Sequence, residues 1–191
     1  MRVAVISPHL DDAVFSVAEH MLSRPDWESC IVTPFGGQPT VEPHRSKYIT
    51  LHEEHRNVCE LAGWDFINGP FLDDAARLDP WSASQGDFFQ DWCREVLLGF
   101  DAWWWPQGVH HPDHLLVGHY AYSRPGIAQC VYEELPYRVL YPGPSPSMGR
   151  LEGYDPSHLQ TKKELCRMYA SQIDEQLERC LFVPERLWSP L

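Results

Sequence analysis

Two short segments of the chain carry histidine and aspartate side chains at spacings that suit metal chemistry. The first reads Ser7-Pro8-His9-Leu10-Asp11-Asp12, and about one hundred residues later the second reads His110-His111-Pro112-Asp113-His114. His9 and Asp12 are placed to hold a metal ion, and the second segment offers a further imidazole. Three nitrogen and oxygen ligands leave one coordination position open, which is typical of a catalytic rather than a structural zinc site.

An apolar run precedes each of these segments and must position its polar residues. Val3 to Ile6 is short and rich in β-branched residues, which predicts a strand buried on both faces of a parallel sheet. Trp103 to Trp105 occupies the same place before the second segment, and aromatic residues are favoured in strands. We therefore expect these tryptophans to pack in the core, with one ring lining the cleft as the alternative. Ligands of parallel sheets gather at the carboxyl ends of the strands, where both polar segments begin.

Short apolar strands alternate with helical patterns along the chain. This alternation predicts a Rossmann-like α/β fold, a mostly parallel sheet with helices on both faces, in one domain over residues 1–191. The predicted strands are Val3 to Ile6, Cys30 to Thr33, Asp65 to Asn68, Ala102 to Trp105 and Gln129 to Glu133. The predicted helices are Asp12 to Ser23, Lys47 to Ala62, Asp87 to Leu98, His114 to Tyr122 and Thr161 to Leu181. Asp73 to Gln85 and Tyr141 to Asp155 are predicted to be loops.

At the two polar segments the sequence resembles the zinc-dependent de-N-acetylases of the PIG-L or LmbE-like family. One branch of that family carries Ser-Pro-His-x-Asp-Asp after its first strand, as Ser7 to Asp12 do here. The family carries His-Pro-Asp-His later in the chain, as His111 to His114 do. Further similarities extend over nearly the whole sequence, in the segments Thr33 to Gly37, Tyr132 to Tyr137, Lys163 to Gln172 and Glu185 to Trp188.

The resemblance implies a role for each site residue. His9, Asp12 and His114 would be the metal ligands, for Zn²⁺ or for Fe²⁺ or another divalent ion, because histidine and carboxylate ligands discriminate weakly among these metals. Asp11 would be the general base that takes a proton from the attacking water, since it is the carboxylate left free beside a ligand carboxylate. His111 would lie on the other side of the reacting carbonyl, where it could stabilise the oxyanion or protonate the leaving amine.

The sequence also departs from the family pattern. Ala13 replaces a glutamate that often ends the first motif, but that glutamate is not one of the three ligands. Some sugar deacetylases of the family place a carbonyl-polarising tyrosine shortly before the second motif. The matching region here, Gln107 to His110, contains no tyrosine, so the role is unfilled unless His110 takes it. Leu51 stands where the family has a helical arginine, which weakens the case for a phosphorylated or anionic aglycone. Asp113 is expected to hold an imidazole in its correct tautomer.

The segment His52-Glu53-Glu54-His55 superficially resembles the His-Glu-x-x-His zinc motif, in which two imidazoles lie four residues apart on one helix face. The spacing here is three. Residues three apart can still share a helix face, so a metal site is one alternative. We interpret the segment instead as an exposed polar helix face.

Composition and charge exclude several classes of function. The formal net charge is −12, which argues against binding a nucleic-acid backbone or an anionic membrane surface. No apolar run approaches the length of a membrane span, and the amino terminus lacks the pattern of a signal peptide. None of the six cysteines forms a Cys-x-x-Cys pair, so we expect reduced thiols and a cytoplasmic location rather than a structural zinc site.

The sequence thus predicts a metal-dependent hydrolase of amide bonds whose substrate is an N-acetylated amino sugar or a sugar-containing small metabolite. One alternative is a metal-dependent amidase acting on a non-sugar amide. Another is a small-molecule binding module without turnover, although Asp11 argues against it because binding requires the ligands and not a free base. The chain is compact for the family it resembles, which suggests either trimmed substrate loops or a homo-oligomer whose cleft is completed by a second subunit.

Overall fold

One seven-stranded sheet forms the centre of the molecule. The computed structural model describes residues 1–77, 83–123, 129–142, 149–153 and 155–189. The strands are β1 (Arg2–Ile6), β2 (Glu28–Thr33), β3 (Asp65–Asn68), β4 (Ala102–Pro106), β5 (Gln129–Tyr132), β6 (Arg150–Leu151) and β7 (Leu187–Ser189). Their order is β3-β2-β1-β4-β5-β7-β6; the first five pair in parallel, and β7 runs antiparallel to both of its neighbours. The predicted α/β fold with a mostly parallel sheet is confirmed.

Helices cover both faces of this sheet, as the sequence predicts. They are α1 (Asp12–Leu22), α2 (His44–Ala62), α3 (Ala83–Leu97), α4 (Pro112–Tyr122), α5 (Tyr137–Leu140), α6 (Leu159–Arg167) and α7 (Glu175–Leu181). Alternate residues of β1 point to opposite faces, so Val3 and Val5 pack with α1, α2 and α6. Ala4 and Ile6 pack with α3 and α4 on the other side. A strand buried on both faces needs the continuous apolar run that β1 has.

The consecutive tryptophans of β4 belong to this core. Trp104 packs in the cluster on the α1 side, whereas Trp105 packs in the cluster on the α4 side. Both are almost fully buried, at 2% and 0% exposure. The prediction that these rings are structural is therefore confirmed, and the residues lining the site cavity described below include none of them.

The structure corrects the sequence prediction in three places. The helix predicted from Thr161 to Leu181 is two separate helices, α6 and α7. Asp174 is the N-cap of α7, because its side chain accepts the Leu177 N–H at 2.7 Å. The edge strand β6 and its neighbour β7 were not predicted, since two or three residues are too few to show a periodicity. Within the predicted loops, residues 74–76 form a 3₁₀ turn and α3 begins at Ala83. Residues 78–82, 143–148 and 154 of those loops lie outside the described residues.

The strand order also determines where a site can form. The helices that follow β1 and β4 cover opposite faces of the sheet, and these two strands are neighbours. Chain connections therefore diverge between them and leave a crevice at their carboxyl ends, the usual ligand position in such sheets. Among the described residues, no helix is both long and apolar enough to span a membrane.

Candidate active site

Both polar segments meet in this crevice. The first leads from β1 into α1, and the Ser7 hydroxyl accepts the Ala13 N–H at 2.9 Å, which fixes the turn. The second leads from β4 into α4, where His111 is the N-cap and Pro112 takes the first helical position. Two helix starts on adjacent strands thus carry the predicted residues into one space.

The three predicted ligand atoms lie in mutual contact. His9 Nδ1 is 3.2 Å from Asp12 Oδ2 and 3.1 Å from His114 Nε2, and His114 Nε2 is 3.2 Å from Asp12 Oδ2. Around a tetrahedral ion with bonds of about 2.1 Å, neighbouring donor atoms lie about 3.4 Å apart. The donor triangle has nearly this size, so its residues fit a small divalent ion such as Zn²⁺. A ring nitrogen of His111 also lies within 4.8 Å of ring nitrogens of His9 and His114.

The second ring nitrogen of His9 contacts a buried carboxylate. His9 Nε2 lies 3.1 Å from Asp113 Oδ2, and the same oxygen accepts the Asp74 N–H at 2.8 Å. Arg77 Nη1 lies 2.7 Å from the other oxygen of Asp113. An Nε2–H donated to Asp113 would leave the Nδ1 lone pair of His9 to face a metal ion beside Asp12 and His114. The structure thus brings Asp113 into contact with one of the predicted ligand imidazoles.

His114 has a carboxylate partner of its own. Its Nδ1 lies 2.6 Å from Glu134 Oε1, and both side chains are fully buried. Glu134 Oε2 accepts the Gly108 N–H at 2.8 Å, so one carboxylate holds both the imidazole and the loop before the second motif. Burial lowers the pKa of His114, but the charges of Asp12 and Glu134 outweigh it and raise the pKa to about 9. Glu134 thus leaves the Nε2 atom of His114 facing the donor triangle.

The adjacent carboxyl groups of Asp11 and Asp12 have opposite electrostatic environments. Burial and the charge of Asp12 raise the pKa of Asp11 to about 7. Burial opposes ionisation of Asp12 too, but the imidazoles of His114 and His9 outweigh it and hold its pKa well below the usual range. Asp12 is therefore an ionised partner of the imidazoles, whereas Asp11 can both accept and return a proton near neutral pH.

His111 is held by the helix that it caps. Its Nδ1 accepts the Asp113 N–H at 3.2 Å, and burial together with the nearby His9 and His114 lowers its pKa. The neutral ring therefore carries its proton on Nε2. The ring lines the site cavity, so His111 can act as a neutral N–H donor there.

Part of this cluster lines one cavity of about 280 Å³. Its polar wall includes Asp11, Asp12, His9 and His111, and its apolar wall includes Phe15, Leu51, Pro136 and Leu177. Lys47, one helical turn before Leu51, also lines the cavity and supplies a cation there. The volume is sufficient for one hexose-sized ring with a small acyl group.

Several supporting residues were missed by the sequence analysis. Tyr48 and Tyr137 both line the cavity. The Tyr48 hydroxyl donates to Asp73, whose carboxylate lies 3.8 Å from His9 Nε2. The Tyr137 ring packs edge-on against the His114 ring at 5.0 Å. Glu134 and Tyr137 lie in a segment that resembles the family, but neither had a role there. Tyr48, Asp73 and Arg77 had no motif signal at all.

The remaining candidate motifs lie outside the donor triangle. His55 is buried, and its Nδ1 contacts the Tyr169 hydroxyl at 2.8 Å, so the prediction of an exposed position is wrong for this residue. His52 contacts Asn68 at 3.3 Å and belongs to no cluster of potential metal ligands among the described residues. His110 has a positive φ of 64° and packs against Tyr141, with ring centroids 4.6 Å apart.

Comparison with known proteins identifies the fold. No protein-family profile matches the chain, and no curated protein sequence matches it either. A crystal structure of the deacetylase of teicoplanin biosynthesis matches with a TM-score of 0.81 at 20% identity, over 100% of this chain and 98% of that one. The zinc-inhibited form of teicoplanin deacetylase matches with a TM-score of 0.77 at 20% identity, over the same shares of both chains. The fold is that of these enzymes.

Proteins that act on other substrates share the fold at lower structural similarity. N,N'-diacetylchitobiose deacetylase from Pyrococcus horikoshii matches with a TM-score of 0.63 at 16% identity, over 93% of this chain and 73% of that one. A 4-carboxy-2-hydroxymuconate hydratase from Pseudomonas putida matches with a TM-score of 0.65 at 16% identity, over 94% and 82% of the two chains. Since a hydratase shares the fold, the fold alone does not determine the reaction, and function has to be argued from the site.

Proposed function

We propose that this protein is a metal-dependent hydrolase of the PIG-L or LmbE-like type that removes the acyl group from an N-acylated amino sugar. The observation that carries the proposal is the donor triangle of His9, Asp12 and His114, with Asp11 beside it and His111 in the same cavity. Three ligands with a carboxylate base nearby constitute the arrangement that metal-assisted hydrolysis requires.

The metal would be held by His9, Asp12 and His114, most simply as Zn²⁺. When bound, it would polarise the amide carbonyl and lower the pKa of a water molecule towards neutrality. Nitrogen and oxygen donors also accept Fe²⁺ and other divalent ions. Asp113 and Glu134 would hold the two imidazoles in their ligand tautomers through the contacts described above.

The protein residues would then move one proton. Asp11 accepts it from the attacking water as the new C–O bond forms, and returns it to the nitrogen as the C–N bond breaks. The immediate products are a free amine and a carboxylic acid, and the acid then ionises to the carboxylate by losing its proton to solvent. His111 donates a hydrogen bond from its Nε2–H to the oxyanion that develops on the carbonyl oxygen, and the amine receives its proton from Asp11.

Tyr137 would supply a second donor to the same oxygen. Burial and the nearby carboxylates of Asp12 and Asp11 raise the pKa of Tyr137, so its hydroxyl keeps its proton at neutral pH. It lines the cavity close to His114. This tyrosine, from the start of α5, would take the carbonyl-polarising role for which the sequence offered only His110.

The sugar class is supported by the cavity and by the fold neighbours. The cavity combines hydroxyl, amide and ammonium groups of Tyr48, Gln172 and Lys47 with an apolar wall, which suits an amphipathic ring bearing hydroxyl groups. Two of the fold neighbours are deacetylases, one of teicoplanin biosynthesis and one of diacetylchitobiose. The acidic net charge favours a neutral or cationic small molecule over a polyanion.

The test is amine release from a panel of N-acylated sugars and non-sugar amides. Metal-stripped protein should be reconstituted with one equivalent of Zn²⁺ and, separately, of Fe²⁺, because teicoplanin deacetylase also exists in a zinc-inhibited form and excess metal could mask activity. We expect turnover of at least one N-acetylated sugar that depends on added metal. Turnover of non-sugar amides alone would exclude the sugar substrate, and tight metal binding without turnover of any amide would favour a binding module.

A further inference from the structure

Tyr169 is a fully buried residue that the proposed deacylation does not use, yet its hydroxyl group reaches the first motif. Tyr169 follows α6, and its hydroxyl donates to the Leu10 carbonyl at 2.9 Å, across 159 residues of sequence. Leu10 stands between His9, a proposed metal ligand, and Asp11, the proposed base. One hydrogen bond therefore joins the segment after α6 to the loop that carries the site.

The partners of Tyr169 fix the direction of each hydrogen bond around it. A carbonyl oxygen can only accept, so the Tyr169 hydroxyl uses its single proton on Leu10. The Nδ1 atom of His55, 2.8 Å from the Tyr169 oxygen, must then be the protonated ring nitrogen. Burial lowers the pKa of His55 to about 4, so the ring is neutral and its Nε2 can accept the Cys59 Sγ–H at 3.7 Å. The three side chains form one buried chain of hydrogen bonds that ends on the Leu10 carbonyl.

The carboxyl group of Asp11 has no comparable support of its own. Each proposed ligand imidazole contacts a buried carboxylate, as described above. The Asp12 carboxylate accepts the His9 N–H at 2.8 Å. Within the part of the chain that the structure describes, the Asp11 carboxyl group accepts no hydrogen bond from another residue. The direction in which this carboxyl group points therefore depends on the backbone that carries it.

The Leu10 carbonyl belongs to the same rigid unit as the Asp11 N–H. Because a peptide bond is planar, a hydrogen bond that holds the carbonyl oxygen also fixes the plane from which the Asp11 Cα projects. On its other side Asp11 is the N-cap of α1, and its own carbonyl accepts the Phe15 N–H at 3.0 Å. The backbone of Asp11 is thus held by Tyr169 on one side and by α1 on the other.

We propose that Tyr169 is a positioning residue for Asp11, which holds the peptide between Leu10 and Asp11 and so directs the carboxyl group of the base into the cavity. The proposal rests on the role of Asp11 in the proposed deacylation. Neither Tyr169 nor His55 lines the cavity, so both act through the backbone of the first motif. A displacement of about 1 Å in a catalytic group can lower the rate by about 100-fold, which makes such a hold worthwhile.

The experiment compares Tyr169→Phe with the matched control Tyr132→Phe. Tyr132 is also fully buried, and its hydroxyl donates to the Ile6 carbonyl of β1 at 2.6 Å, so both substitutions take one buried hydroxyl away from a backbone carbonyl. We expect Tyr169→Phe to lower kcat on an accepted amide by about tenfold or more, with KM and Zn²⁺ affinity near their wild-type values. Tyr132→Phe should keep the wild-type kcat, although both variants lose stability.

A double-mutant cycle with Asp11→Asn identifies the residue through which Tyr169 acts. If Tyr169 positions Asp11, Tyr169→Phe should lower kcat in the wild-type background and leave the residual turnover of Asp11→Asn unchanged. An equal fractional loss in both backgrounds would overturn the proposal, because the hydroxyl would then support the fold in general. An equal loss of kcat in Tyr132→Phe would overturn it for the same reason.

NMR relaxation of the metal-free protein separates this result from failure of the proposed deacylation. The order parameter of the Asp11 N–H should fall in Tyr169→Phe and keep its wild-type value in Tyr132→Phe, because only the first variant releases the peptide before Asp11. If no amide is hydrolysed by any variant, the deacylation fails, but this lower order parameter would still support the hold on Asp11. An order parameter unchanged in Tyr169→Phe would refute it.

Discussion

The carboxylate of Glu134 provides the sharpest test of the proposed metal centre. Its two oxygens accept hydrogen bonds from two donors, His114 Nδ1–H at 2.6 Å and Gly108 N–H at 2.8 Å, and its side chain is fully buried. Glu134→Gln keeps the size of the side chain but replaces one acceptor oxygen with an NH₂ group. Either the His114 Nδ1–H or the Gly108 N–H must then face the NH₂ group of the glutamine, which is itself a donor.

The expected loss of Zn²⁺ affinity or of stability follows from these contacts. A buried donor left without its acceptor costs about 1–3 kcal/mol. Loss of the carboxylate partner of a metal-binding histidine lowers metal affinity by about 10- to 100-fold, which corresponds to about 1.4–2.7 kcal/mol of binding free energy. The two figures agree, so we expect Glu134→Gln to weaken Zn²⁺ binding by 10- to 100-fold if His114 loses its partner. If the Gly108 N–H loses its acceptor instead, the free energy of unfolding of the metal-free protein should fall by about 1–3 kcal/mol.

The assay is competition between the protein and a chelator for Zn²⁺, together with chemical denaturation of the metal-free protein. The matched control is Glu133→Gln, the same change one residue earlier in the chain. The Glu133 carboxylate accepts the Trp188 Nε1–H at 3.0 Å and has no contact with the site histidines among the described residues. An unchanged Zn²⁺ affinity and stability in Glu134→Gln, or an equal loss of affinity in Glu133→Gln, would refute the role assigned to Glu134.

Three further predictions concern the base, the second donor and acid stability. Asp11→Asn should lower kcat on any accepted amide by at least about 100-fold and leave Zn²⁺ affinity near the wild-type value, because it removes the base but no ligand. Steady-state kinetics and the chelator competition measure these two quantities. Turnover at the wild-type rate in Asp11→Asn would contradict the prediction. Tyr137→Phe should lower kcat by about 100-fold with little change in KM, because it removes one oxyanion donor and keeps the ring; equal kcat in both proteins would show that the hydroxyl does not contact the reacting oxygen. Burial lowers the pKa of His55 from 6.5 to about 4, so between these pH values His55 is protonated in the unfolded chain but neutral in the folded protein. The free energy of unfolding therefore has its full value above pH 6.5 and falls by about 3 kcal/mol as the pH falls towards 4. Urea denaturation at pH 7.5 and pH 4.5 should show this loss in the wild-type protein and a smaller one in His55→Gln, and identical pH dependence would contradict it.

The central part of the fold was predictable from local patterns. Val3 to Ile6 has the continuous apolar run of a strand buried on both faces, and its register between β2 and β4 confirms that reading. The two motifs begin where such strands end. Because the carboxyl ends of parallel strands lie at the same edge of a sheet, the sequence predicts that the motifs lie close together. The break before α7 was harder to predict, because Asp174 acts as an N-cap only once the preceding turn has packed.

The partners of the site histidines could not be read from the sequence in the same way. Glu133 and Glu134 follow the same strand, and consecutive residues of an extended chain point in opposite directions. Either could therefore have reached His114, and only the packing of β5 between β4 and β7 selects Glu134. Arg77 and Asp73 come from an irregular segment after β3 whose position depends on contacts with the second motif, so no periodicity identifies them.

The distribution of charge explains why the site holds so many acids. Asp113 and Glu134 each contact one imidazole and Asp12 faces both, which leaves Asp11 for the proton transfer proposed above. Arg77 is paired with Asp113, on the far side of His9 from Asp12, so it does little to offset the repulsion between Asp11 and Asp12. That repulsion contributes to the raised pKa of Asp11. A divalent cation beside Asp12 would offset it and favour the ionised form of Asp11 that a general base requires. This electrostatic arrangement supports the proposed roles of the two adjacent aspartates, Asp12 as a metal ligand and Asp11 as the base.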